Sequence, residues 1–202
     1  LKDNGIDVHH VTIDKYHGTG TAAVTLDAEG QNDIMIYGGA NQAMTPDMVD
    51  DIDDVLDDAD FLISQFETPQ EVALAAFKKA KEHNVMTILN PAPAHEIIPD
   101  LLKVTDVIAP NESECALLTG IPVTDEDSMM KSAEYFQKQG VKHLLITLGA
   151  KGVFYATPND HGLVPAFKVH AVDTTAAGDT FIGALSSQLE DDLSNVADAL
   201  VY

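Results

Sequence analysis

Three residues with almost no side chain, Ala176, Ala177 and Gly178, stand directly before an acid, Asp179, and an apolar run follows at helical spacing through Phe181, Ile182, Leu185 and Leu189. Nothing in that stretch shields the main-chain N–H groups. The first-turn N–H groups of a helix have no intrahelical acceptor and lie at the positive end of its dipole, so such a junction can hold an anion. A carboxylate placed there repels a bound phosphate unless it has work to do. Accepting the proton of a hydroxyl that attacks the phosphate is work of that kind. A tight turn followed by an ordinary N-cap accounts for the same residues without a ligand.

Other positions carry chemistry only in company. Asn111-Glu112-Ser113-Glu114 lies just past Pro110, where two acids in a first helical turn are favourable through the dipole and capping alone. Thr147-Leu148-Gly149-Ala150-Lys151-Gly152 offers two glycines, suited either to a hairpin turn or to close approach of backbone to a nucleotide. Glu67, in Ser64-Gln65-Phe66-Glu67, and Asp173, ahead of the small-residue run, are single acids open to cap, turn or ligand roles.

The elements that must position these groups alternate along the chain. Residues 20–27 and 33–37 read as strands joined through a turn at Glu29-Gly30. Thr45-Pro46 starts a helix, and the acids from Asp50 to Asp58 read as its solvated face beside Val49, Ile52 and Leu56. A strand over 61–64 precedes a helix opened by Thr68-Pro69-Gln70-Glu71, which combines a proline with a capping box and carries Val72, Phe77 and Ala80 on one side. Strands over 85–89 and 106–109 follow, then a helix over 112–119 ended by Gly120 and one from about 125 ended by Gly140. A strand over 144–148, strands near 152–156 and 163–171, the helix after Gly178 and a last helix capped by Ser194 complete the pattern. Such alternation predicts a mostly parallel sheet covered on both faces. In these sheets ligands sit beyond the carboxyl ends of strands. Glu67, Asn90, Asn111, Glu114, Gly149, Asp173 and Asp179 all follow predicted strands.

Composition excludes several classes. The 202 residues carry a net charge of −22, and all 11 basic residues are lysines, so nucleic acid and anionic membranes are repelled. No run approaches the roughly 18 apolar residues of a membrane span. A single cysteine, Cys115, excludes an internal disulfide and fits the cytoplasm. Leu1 to Gly5 reads as the last turn of a helix, and the Ser194 helix stops without a terminator, so the chain is expected to be an internal piece of a longer protein. Gly18-Thr19-Gly20 follows no strand and opens no helix, which removes a dinucleotide site. His9-His10 and the other histidines show no metal spacing.

The whole string from Asp173 to Ala184 resembles the signature of the ribokinase-like sugar kinases, the phosphofructokinase-B family, and Ala109-Pro110-Asn111-Glu112-Ser113-Glu114 resembles that family's N-x-x-E motif. The resemblance implies an α/β fold over residues 1–202: one three-layer, doubly wound, mostly parallel sheet, truncated at both ends, with part of a small β lid at about 18–37. It implies that Asp179 is the catalytic base and touches the substrate, and that Ala176, Ala177 and Gly178 form the anion hole. Asn111, Thr147, Gly149, Lys151, Gly152 and Gly178 would contact the nucleotide. Glu114 would organise magnesium through water, Asp173 and Thr175 would hold potassium, and Glu67 would bind the sugar. The implied reaction is ATP-dependent phosphorylation of the 5-hydroxyl of D-ribose, favoured by Asn90-Pro91-Ala92-Pro93-Ala94, in a homodimer. Fructose, a nucleoside or a ketodeoxy sugar acid are alternative acceptors, and a sensor without catalysis is the alternative of another class. Gly38-Gly39-Ala40-Asn41-Gln42-Ala43 lacks the lysine of the family's G-G-K-G-A-N sugar loop and is set aside. With those sugar contacts missing, the chain alone is expected to be inactive.

Overall fold

Thr21–Leu26 (β1) and Asn32–Tyr37 (β2) pair antiparallel as a separate two-stranded sheet, with Thr21 opposite Tyr37. The computed structural model describes residues 1–26, 32–170 and 174–201, and this hairpin stands apart from the main sheet. The proline after Thr45 does begin a helical stretch, but it is a 3-10 turn, Pro46–Val49, and Thr45 makes no side-chain cap. The acidic run that follows supports only one short helix, Asp53–Leu56 (α1).

The main sheet then builds strand by strand. Phe61–Ser64 (β3), helix Gln70–Glu82 (α2), Met86–Leu89 (β4), helix Pro99–Lys103 (α3) and Val107–Ile108 (β5) come first. Helices Glu112–Thr119 (α4) and Glu126–Gln137 (α5) lead to His143–Thr147 (β6), Val153–Ala156 (β7) and His161–Val164 (β8). Ala177–Ser186 (α6) and Val196–Ala199 (α7) follow. The six strands lie in the order β3-β4-β5-β6-β7-β8, parallel from β3 to β6 and antiparallel from β6 to β8.

Right-handed crossovers that all advance in one direction place their helices on one face. Accordingly Phe77 of α2, Leu101 of α3, Cys115 of α4 and Phe136 of α5 pack together with Leu89, Ile108, Leu144 and Phe154. The neighbouring strand residues Ile88, Val107, Leu145 and Tyr155 point the other way and meet Ile182, Leu185, Leu189 and Val196. Side chains alternate across a strand, so a strand buried on both faces must be apolar throughout. That gives three layers. Phe77, Phe136 and Phe154 are fully buried, each contributing about 2–3 kcal/mol through lost water contact.

Several local expectations need correction. α2 begins at Gln70 with Pro69 in the cap position and no side-chain cap, so the capping box expected of Thr68 is absent; Gln70 instead reaches Glu96 O and the Ile98 N–H. The last strand ends at Val164 rather than 171, where Pro165 removes a ladder donor. The final helix is preceded by Asn195 rather than Ser194.

The acids of α1 are more than a solvated face. The ring nitrogens of His83, just past α2, lie 2.8 Å from accepting carboxylate oxygens, Nδ1 from Asp57 and Nε2 from Asp53, and Lys79 sits 2.9 Å from Asp53. Hydrogen bonds to Asp57 and then Asp53 raise the His83 pKa above its ordinary value. A raised histidine pKa adds stability that is complete below the unfolded value and is lost as pH climbs through the folded one. The α1–α2 contact is therefore expected to loosen as pH rises past the ordinary histidine pKa and through the raised one. An NMR titration of His83 should show the raised midpoint, and Asp57→Asn should lower it; equal midpoints in both proteins would contradict the pairing.

Candidate functional site

The carboxyl ends of β5 and β6 stay in register beyond the strands. Asn111 and Thr147 form an isolated parallel bridge, and the Thr147 N–H donates to Pro110 O at 3.0 Å. This join places the start of α4 beside the β6–β7 turn. Asn111 caps α4 by accepting from the Glu114 N–H at 2.9 Å, and Glu114 Oε2 accepts from the Asn111 N–H at 2.7 Å. The local fold thus uses both residues as a reciprocal capping box. Half-burial raises the Glu114 pKa, and the Asn111 N–H offsets part of that rise.

The β6–β7 turn is a hairpin closed by Leu148 N–H to Gly152 O at 2.8 Å. Its residues Gly149 and Gly152 have φ of 55° and 111°. At Gly152 a Cβ would lie 1.9 Å from Val164 O and 2.8 Å from Ala166 N. The turn can therefore press against the chain leaving β8 only because position 152 has no side chain. Both readings of the glycines hold together: they make the hairpin, and they also face the cleft beside it.

That cleft has a volume of about 560 Å³ and opens where the turn, the start of α4 and the start of α6 meet. Asn111, Thr147, Gly149, Gly152, Ala177 and Gly178 line it. Six residues from separate stretches of sequence are thus brought to one place. Thr174 to Thr180 are exposed, Asp179 among them. Ala176 precedes α6 in the left-handed conformation, φ 56°, which is uncommon and costly for a residue with a Cβ. The Ala177 N–H is drawn into a turn to Thr174 O at 3.2 Å, whereas the Gly178 and Asp179 N–H groups find no acceptor among the described residues. The Ala176 N–H likewise has no acceptor among the described residues, so of the expected 176–178 only the Ala177 N–H is engaged, and Asp179 adds a further open donor.

Not every expected residue lines the cleft: Glu114, Ala176 and Asp179 stand beside lining residues but are not among them. Lys151 is not among its lining residues; its Nζ pairs with Glu112 Oε1 at 2.9 Å, and both side chains are exposed. Glu67 follows β3 and is exposed, and its carbonyl accepts from Gln42 Nε2 at 2.7 Å. It lines no part of the cleft. Thr175 is exposed, and Asp173 lies outside the described residues. Cys115 is fully buried, with its thiol pushed up to about 11 by burial, so it is an inert packing residue.

An apolar wall had no counterpart in the sequence reading. Val164, Pro165, Phe167, Phe181 and Leu200 line the cleft opposite its polar loops. Phe167 keeps 70% of its surface exposed. Pro165, lying inside the strand expected over 163–171, was the one available sign that the chain would leave the sheet there.

The chain matches the model of the pfkB family of carbohydrate kinases over residues 1–199. It is 53% identical over its whole length to a bifunctional ribokinase/ribose-5-phosphate isomerase A of Fructilactobacillus sanfranciscensis, of which it covers 37%. It is 48% identical to the ribokinase of Staphylococcus aureus, with 98% of this chain and 65% of that protein aligned. The solved structure of Arabidopsis thaliana ribokinase complexed with ribose and ATP superposes with a TM-score of 0.83 at 31% identity, covering 92% of this chain and 60% of that one. The chain thus spans between about a third and two thirds of these relatives' length.

Proposed function

Because the chain belongs to the pfkB family of carbohydrate kinases, we propose that the protein carrying it transfers the γ-phosphate of ATP to the 5-hydroxyl of D-ribose. The observation that carries this reading is the meeting, at one cleft, of Ala177 and Gly178 at the start of α6 with Asn111, Thr147 and the glycine hairpin, with Asp179 exposed at the next position along the helix. Relatives that are named ribokinases, and a neighbour solved with ribose and ATP, favour ribose over fructose, a nucleoside or a ketodeoxy acid.

Each residue then has a distinct task. The apolar wall with Phe167 takes the flat base of the nucleotide and excludes water from one side. Gly149 and Gly152 let main chain approach without side-chain bulk. The amides at 178 and 179 donate to the transferring phosphoryl, where preorganised donors each lower the barrier by roughly 3–4 kcal/mol. Asp179 receives the proton of the attacking hydroxyl. Lys151, held by Glu112, stands at the rim, where it can swing to a phosphate. A base and a metal-ordering carboxylate have no use in a sensor, which argues against the reading without catalysis.

Magnesium fits the donor set at Glu114: one hard carboxylate, with one oxygen committed to the cap, suits an ion that keeps most of its waters. When bound, it offsets the phosphate charge that this acidic chain otherwise repels. Glutamine also completes a capping box, so Glu114→Gln should keep the fold. It is expected to raise the magnesium concentration for half-maximal activity by about tenfold. An unchanged magnesium requirement with unchanged melting would leave Glu114 as a cap alone.

Potassium activation is proposed on Asp173 and Thr175, and sugar binding on Glu67. Met35, Ile36 and Tyr37 expose apolar surface on β2, which supports a homodimer through the hairpin. No helix among the described residues is long and apolar enough to cross a membrane, and the single buried cysteine suits the cytoplasm. The reading is tested by assaying the protein with ATP against ribose, deoxyribose, fructose and nucleosides, with potassium or sodium as the only monovalent cation. Preferred turnover of ribose, faster in potassium, is the expected result; preference for another acceptor would overturn the substrate assignment.

A further inference from the structure

Away from the cleft, a group of metal-ligating side chains joins the start of the chain to α1. His9, His10 and Asp54 are all exposed, and one ligand atom from each lies within 4.8 Å of the others. His10 Nε2 is already 3.1 Å from Asp54 Oδ1. The His9 ring meets the His10 ring edge-on, with centroids 4.9 Å apart. The acid comes 44 residues after His10, so histidine spacing in the sequence holds no trace of the cluster.

We propose that His9, His10 and Asp54 bind a divalent transition ion of the zinc type, which ties the segment leading into β1 to α1. Two imidazoles and one carboxylate make a borderline donor set of the kind zinc accepts, whereas magnesium and calcium favour oxygen throughout. The site therefore discriminates against the ion proposed for the cleft. Around four-coordinate zinc, with bonds of about 2.0–2.2 Å, ligand atoms stand roughly 3.5 Å apart. The His10–Asp54 pair meets that spacing already, and His9 must close by about 1 Å, which rotation of an exposed side chain provides. Water completes the fourth position at the open surface.

The surroundings favour such an ion. Asp53 and Asp57, on either side of Asp54, are engaged by His83 and Lys79, which fix α1 against α2 and leave Asp54 on an anchored platform. In a chain of net charge −22, a dication also relieves repulsion among the crowded acids of α1. The ion would replace the direct His10–Asp54 hydrogen bond with two coordinate bonds and bring in His9. An ion bound only by the folded chain stabilises it in proportion to its occupancy.

The test uses the untagged full chain with zinc and, as a spectroscopic probe, cobalt. Calorimetry is expected to show one zinc equivalent bound, the melting temperature to rise with zinc, and cobalt to give the visible absorption of imidazole ligation. His9→Ala, His10→Ala and Asp54→Asn should each weaken zinc binding at least about tenfold and remove the melting shift. His161→Ala, a histidine outside the cluster, should change neither. Circular dichroism matching the parent shows that the variants fold, and should His10→Ala fail that check, Asp54→Asn decides alone. Absence of zinc binding at about 100 µM, a concentration well above a zinc site's usual range, overturns the proposal. So does equal binding by the parent and the three cluster variants.

Discussion

Asp179→Asn is expected to lower kcat by about three orders of magnitude, within the range that a positioned general base supplies, while ATP affinity stays unchanged or tightens slightly. Asparagine keeps the size of the side chain and the helix, but it cannot accept the hydroxyl proton. The residue is exposed at the start of α6 rather than packed, so the fold does not depend on its charge. Removing that charge also removes repulsion toward a triphosphate at the neighbouring amides, which is why binding does not suffer. Single-turnover measurement with a separate ATP titration resolves the two quantities. Near-parental turnover, or loss of ATP binding in step with kcat, would contradict a proton-accepting role.

Gly152→Ala is expected to damage both the fold and the nucleotide site. Its φ of 111° is already strained for any side chain, and the added Cβ would stand 1.9 Å from the Val164 carbonyl oxygen. The obstacle is main chain, which cannot rotate away as a side-chain tip does. Either the hairpin parts from the segment after β8 or the φ changes and the turn opens, at a cost of about 3 kcal/mol. Both routes move Gly149, Val164 and Phe167, which share the cleft. Melting and ATP titration should fall together. A variant with parental melting and parental ATP affinity would show that the close approach is not needed.

The difference between what the sequence disclosed and what it hid is physical. Elements whose signals are local were legible. α4 spans Glu112–Thr119 and stops before Gly120 as expected, and β3 occupies the very apolar run of residues 61–64. Asn111, Thr147 and Gly149 of the cleft were legible because they lie at the carboxyl ends of parallel strands, where such sheets bind ligands. Features that depend on non-local contact were not legible. The Thr68 cap lost to Gln70 because that side chain bridges to Glu96 and Ile98, far along the chain. Lys151 left the cleft because Glu112 attracts it across two loops. The role of Asp53 and Asp57 depends on His83, one helix later. The left-handed Ala176, which decides which amides remain open, has no alphabetic signature, since alanine carries no preference for that conformation.

The most direct test of the central claim is a crystal structure of the protein with ribose and a nonhydrolysable ATP analogue. The account predicts the γ-phosphate oxygens within hydrogen-bond distance of the Gly178 and Asp179 N–H groups, and the ribose 5-hydroxyl against the Asp179 carboxylate. A triphosphate bound away from the start of α6, or a sugar hydroxyl turned from Asp179, would contradict it.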